Sequence, residues 1–130
     1  MKLPTSALSN VQLLRYAARL AIPNFRGVFC KDSLPTLGKP LKRECAIVNL
    51  DDCKTGSGTH WVCYVSNFPQ CHYFDPIGNL KPPVELSEYF RGYRILYNYD
   101  RVQPVKSSLC GQLCLQFLSE ATLPSPHLKS

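Results

Sequence analysis

No run in this 130-residue chain approaches the roughly 20 apolar residues that a membrane-spanning helix needs, so no membrane partner is expected. A secretory leader is not expected either, because Arg15 and Arg19 interrupt the apolar stretch over residues 13–22. Internal repeats and low-complexity tracts are missing, which leaves one domain, residues 1–123, followed by a loose proline-bearing tail, residues 124–130. Charge is scarce at 18% against 45% hydrophobic residues, the balance of a globular chain. Acidic residues are the scarcer kind, 9 against 15 Lys and Arg, so a net charge of +6 permits contact with polyanions such as DNA. The basic residues are nevertheless spread from Lys2 to Lys129, with Lys39, Lys42 and Arg43 the densest group. That spread suits a soluble basic surface better than a dedicated binding stripe.

Seven cysteines are an odd number, so no closed disulfide framework uses them all. Their apolar, strand-like contexts read as reduced core thiols, and a reducing compartment is expected, the cytosol or nucleus of a cell. No C-x₂-C pair of the kind zinc knuckles use is present, and no metal is expected.

Hydrophobic spacing gives the elements. Ser9 or Asn10 can cap a helix whose apolar stripe is Val11, Leu14, Ala17, Ala18 and Ala21, ending before Pro23. Residues 25–30 read as a short strand, 31–44 as an exposed loop, 45–50 as a buried strand and 51–58 as a polar turn. Residues 60–65 and 71–74 follow as two strands of a hairpin turning over 66–70. A helix starts at Pro82 or Pro83 and stops at Gly92, a last strand covers 93–97, and Ser107 or Ser108 caps a helix to about Ala121. Helices and strands in this order make an α+β domain: a central mixed sheet with flanking helices.

Cys110 falls in the first turn of that last helix, where backbone N–H groups and the helix dipole stabilise a thiolate. Cys114, one turn further in between Leu113 and Leu115, has no such help and reads as core. A thiolate nucleophile needs a base. Of the three histidines, His127 lies in the tail, His72 is mid-strand, and His60 opens a strand after a flexible Thr-Gly-Ser-Gly-Thr turn. In an antiparallel hairpin His60 is expected almost opposite Asp75, about 5 Å away between Cβ atoms, so the carboxylate can orient the imidazole. Gln103, seven residues before Cys110, is placed to donate to an oxyanion beside the Cys110 backbone N–H. Gly111 removes a side chain where a substrate backbone would approach.

His60-Trp61, Tyr73-Phe74-Asp75-Pro76-Ile77-Gly78, Val102-Gln103 and Cys110-Gly111-Gln112-Leu113-Cys114 occur in an order and context that resembles the adenovirus endopeptidase (adenain) family. That family includes the adenain-like proteases of adintoviruses and Polinton/Maverick elements. The resemblance spans residues 45–120 and implies a viral cysteine endopeptidase of the adenain-like or ubiquitin-like-protein-protease-like fold. It implies His60 as base, Asp75 as orienter, Cys110 as nucleophile, Gln103 with the Cys110 N–H as oxyanion hole, and substrate contact at Gly58, Thr59, Trp61 and Gly111.

The resemblance further implies cleavage of viral precursor polypeptides at glycine-containing sites during virion maturation, by a monomer acting in the virion and the host nucleus or cytoplasm. No cofactor is needed for the chemistry, and DNA or a viral peptide is the expected kind of activator. The disulfide-linked peptide of adenoviruses is not expected, because residues 76–102 contain no cysteine. The chain also runs on less far beyond the nucleophile helix than the adenovirus enzyme, so support from that region is expected to be dispensable or supplied by a partner. Two other readings stay open: a protease of ubiquitin-like proteins, and a catalytically silent basic nucleic-acid-binding protein.

Overall fold

The computed structural model describes residues 3, 4, 6–50, 60–78, 81–98 and 109–122. Its elements run α1 (Asn10–Arg19), β1 (Phe25–Cys30), a 3₁₀ segment (Lys31–Leu37), β2 (Arg43–Asn49), β3 (Trp61–Asn67), β4 (Gln70–Phe74), α2 (Val84–Tyr89), β5 (Arg94–Tyr97) and α3 (Cys110–Thr122). The five strands form one sheet in sequence order. The inner pairs β2–β3 and β3–β4 are antiparallel, while both outer strands, β1 on β2 and β5 on β4, run parallel to their neighbours. The expected mixed sheet is therefore present, and no helix among the described residues is long and apolar enough to cross a membrane.

Each face of the sheet buries its own core, because alternate side chains of one strand point to opposite faces. Cys45, Ile47, Trp61 and Cys63 pack under α1 and α3, against Leu13, Ala17, Cys114, Leu115 and Leu118. Ala46, Val48, Val62, Tyr64 and Tyr73 pack on the other side against Leu86, Tyr89 and Phe90 of the α2 region and Leu34 of the 3₁₀ segment. Residues 31–44 are thus not wholly an exposed loop: Leu34 is fully buried, and the segment folds down onto α2.

The second face carries a charge that the sequence did not reveal. Glu44 is buried and accepts from Tyr64 Oη at 2.6 Å, Tyr89 Oη at 2.9 Å and the Leu41 N–H at 2.8 Å, and pairs with Arg26 at 3.3 Å. A buried carboxylate is tolerable only when it is satisfied in this way. Burial and the Glu44 charge together push the Tyr64 and Tyr89 phenols well above their ordinary range, so both remain neutral donors.

Helix α1 begins as expected. Ser9 Oγ accepts from the Gln12 N–H and Gln12 Oε1 accepts from the Ser9 N–H, a reciprocal cap worth about 1 kcal/mol. The helix ends at Arg19, before Ala21 turns into the left-handed region at φ 53°. The buried stripe keeps the expected Ala17 but is otherwise different. Leu13 and Ala17 face the core with Tyr16 and Leu20 beside them, while Val11 and Leu14 are 56% and 45% exposed.

Cysteine chemistry also departs from expectation in one place. Cys45, Cys63, Cys71, Cys110 and Cys114 are free and buried, but Cys30, at the end of β1 on the sheet edge, is disulfide-bonded. The reading of all the cysteines as reduced core thiols is corrected there; an edge position leaves Cys30 half-buried and within reach of a partner, unlike the core thiols.

Candidate active site

Three elements converge at one end of the hairpin. Strand β3 starts at Trp61, directly after His60; β4 ends at Phe74, directly before Asp75; and α3 starts at Cys110. The hairpin turn is tighter than the sequence suggests. Pairing runs to Asn67 opposite Gln70, leaving Phe68 and Pro69 as a two-residue turn, and Cys63 faces Phe74. His60 and Asp75 are consequently diagonal neighbours and not direct cross-strand partners. A register change of two residues keeps every side chain on its face, and the long imidazole spans the diagonal: His60 Nε2 lies 3.0 Å from Asp75 Oδ1.

Asp75 is held rigidly. It is 1% exposed, and its Oδ1 also accepts from the Ile77 N–H at 3.0 Å. Its backbone is clamped by Asn98, whose Oδ1 accepts from the Asp75 N–H at 2.8 Å and whose Nδ2 donates to the Asp75 carbonyl at 2.7 Å. The Gly78 N–H donates to the same carbonyl at 2.8 Å, closing the turn behind the carboxylate. Asn98 gave no signal in the sequence, because it reaches Asp75 only through the parallel pairing of β5 with β4. The second carboxylate oxygen, Oδ2, is buried and has no partner among the described residues.

Cys110 is the first residue of α3, and the Leu109 carbonyl accepts the first bond of the helix, from the Leu113 N–H at 3.0 Å. Leu109 therefore takes the capping position, while Ser107 and Ser108 lie outside the described residues. The sulfur sits at the positive end of the helix dipole. It accepts a hydrogen bond from the Trp61 N–H at 3.3 Å, and it is also hydrogen-bonded to the His60 side chain. Burial pushes the His60 imidazole down, but the hydrogen bonds and negative charge of Asp75 and Cys110 outweigh it and raise the pKa from 6.5 to about 9. The arrangement is that of an imidazolium held between a carboxylate and a sulfur.

Cys45, Cys71 and Cys114 are held toward their neutral thiol form. Burial, with Cys63 and Glu44 nearby, pushes Cys45 up to about 12. Burial also raises Cys71 and Cys114. Cys114 donates to the Trp61 carbonyl at 3.5 Å, whereas Cys110 accepts from the Trp61 N–H. Iodoacetamide near neutral pH is expected to alkylate Cys110 before Cys45, Cys71 or Cys114, as mass mapping of short exposures would show. Faster labelling of Cys114 would remove Cys110 from the role of nucleophile.

Two residues expected at the substrate serve the protein's own packing. Trp61 is 4% exposed, and its Nε1 donates to the Leu8 carbonyl at 3.2 Å. Gly111 is buried, and a Cβ there would meet Leu13 Cδ2 at 3.1 Å and Trp61 Cδ1 at 3.4 Å. The absence of a side chain at Gly111 therefore lets α1 and Trp61 approach the nucleophile helix. Gln112 extends the same contact by donating through Nε2 to the carbonyls of Pro4 and Ser6, which ties the chain ahead of α1 to α3. Gly58, Thr59 and Gln103 lie outside the described residues. No group of three His, Cys, Asp or Glu side chains among the described residues could hold a metal ion.

No sequence family matches the chain, and no curated protein matches it by sequence. Among solved structures it is similar to the SUMO protease Ulp1, with a TM-score of 0.61 at 13% identity over 92% of this chain and 68% of that one. It is also similar to the ASFV protease, with a TM-score of 0.58 at 15% identity over 92% of this chain and 58% of that one. The chain thus spans less than three fifths of the ASFV enzyme, and at such identities the likeness is one of fold. The mixed five-stranded sheet with its flanking helices is the α+β fold of the Ulp1-like cysteine proteases.

Proposed function

We propose that the chain is a cysteine endopeptidase that cleaves viral precursor proteins at glycine-containing sites. The observation that carries this reading is the His60 imidazole, bonded on one side to the buried Asp75 and on the other to Cys110 at a helix N-terminus. The Cys110 thiolate adds to the scissile carbonyl carbon, and the resulting oxyanion faces the helix N-terminus with Gln103 as a further donor. Collapse of the adduct breaks the C–N bond as the His60 imidazolium protonates the leaving amine. Neutral His60 then takes a proton from water, the hydroxide adds to the thioester, and the thiolate leaves with the acid product released.

A second reading, a protease of ubiquitin-like proteins, is favoured by the likeness to a SUMO protease. One assay separates the two: the purified protein and its Cys110→Ala variant are incubated with glycine-containing peptides from candidate viral precursors and with a ubiquitin-like protein bearing a C-terminal extension. Cleavage of the peptides alone, lost in the variant, supports the viral reading. Cleavage of the folded modifier alone supports the second, and equal turnover by the variant overturns both. Adding duplex DNA to the same reactions tests activation by it.

A further inference from the structure

A cavity of about 570 Å³ opens beside the β3–β4 turn, lined by Phe68, Tyr93, Pro40, Lys39, Arg91 and Glu88 among others. This is the opposite end of the hairpin from His60 and Asp75. Seven residues of β3 lie between, about 23 Å at roughly 3.3 Å per residue, so the cavity is no part of the cleavage site. Its aromatic wall is unusually open to solvent. Phe68 is 59% exposed and packs edge-on against Tyr93 at 5.2 Å between ring centres, leaving its remaining surface in water.

Folding also brings Arg91 and Arg94 beside the Lys39, Lys42 and Arg43 group. The Phe68 N–H donates to the Lys42 carbonyl at 3.0 Å, and the Arg94 N–H donates to the Pro69 carbonyl at 2.8 Å. Arg43 pairs with Asn67 at the end of β3. Lys39, Lys42, Arg43, Arg91 and Arg94 thus surround the aromatic turn, all exposed. Glu88 is the carboxylate in the lining, and Glu44 beneath it is buried and already satisfied by Arg26, Tyr64 and Tyr89.

We propose that this cavity is a docking site for an acidic, extended peptide segment with an apolar side chain among its carboxylates. The apolar side chain packs on Phe68 and Tyr93 while the carboxylates meet the surrounding cations. Shape and charge select this occupant together. A DNA duplex would engage the cations alone and leave the concave aromatic wall unfilled, whereas an apolar peptide would leave the cations unmatched.

The test is fluorescence anisotropy of the full chain with a labelled peptide alternating Glu with Leu and Phe, with its Gln-for-Glu analogue, and with a labelled DNA duplex. The expected result is salt-dependent binding of the acidic peptide, weakened about tenfold by Phe68→Ala and by Arg91→Glu separately, with the Gln analogue bound at least tenfold more weakly. Both substituted side chains are exposed, and circular dichroism checks that each variant folds. Binding of the peptide unaffected by Phe68→Ala, no peptide binding at low salt, or a duplex bound more tightly than the peptide would each overturn the proposal. The last of these would make the surface an electrostatic nucleic-acid face.

Discussion

Replacing Cys110 or His60 with Ala is expected to abolish peptidase turnover, a loss on the order of 10⁶-fold, because each supplies an atom that reacts. Asp75→Asn should instead leave a folded, slow enzyme. The carboxamide oxygen can take the place of Oδ1 and keep the bonds to His60 Nε2 and the Ile77 N–H, both 3.0 Å in the native site. What disappears is the negative charge that stabilises the imidazolium, while the new NH₂ occupies the buried position where Oδ2 has no partner among the described residues. The rate should fall by up to about 10⁴-fold. Gln103→Ala should cost about 10²–10³ in kcat, the range for one oxyanion donor. Steady-state kinetics with a cleaved peptide, alongside thermal unfolding of each variant, measure the series. Near-normal rates for both Asp75→Asn and Gln103→Ala would dissolve the proposed constellation.

Three of the candidate residues, His60, Asp75 and Cys110, stand in local contexts that carry a physical signal, though each context also has a purely structural reading. Cys110 follows a serine pair of the kind that caps helices and opens an apolar periodic run, His60 follows a glycine-bearing polar stretch, and Asp75 stands at the end of a strand ahead of a proline. The hairpin placed His60 beside Asp75, an inference that survived an error of two residues in register because the side-chain period is also two, while Cys110 joined them only through the family resemblance.

Features decided by packing were not legible. Helix α1 offers two apolar arcs at helical spacing; Ala17 was expected in the core, but only contacts with β1 and α3 select Leu13 over Val11 and Leu14. Parallel pairing at both sheet edges needs partners distant in sequence, which hid Asn98 behind Asp75. The same is true of Gly111, where the neighbour filling the empty space belongs to α1 and β3 and not to a substrate.

Peptidase activity is expected to hold through neutral pH and to decline on the alkaline side with a midpoint near 9, about tenfold per unit above it. The reactive state needs His60 protonated, and its pKa is raised from 6.5 to about 9: burial opposes the charge, but the hydrogen bonds and charges of Asp75 and Cys110 prevail. The sign for stability is the same. A base whose pKa is higher in the folded state stabilises the fold fully below its unfolded value of 6.5, and that contribution is lost as pH rises through about 9. Asp75→Asn removes one of the two raising partners, so both the alkaline limb of activity and the alkaline loss of stability should move to lower pH. Cys110→Ala, which removes the other, should lower the His60 titration seen by NMR even though no turnover remains. Profiles of kcat/KM and of thermal midpoint against pH for the native chain and Asp75→Asn provide the measurement. An alkaline limb that stays near 9 in Asp75→Asn would show that the carboxylate is not what holds the imidazolium, and the acid of the site would have to be sought elsewhere.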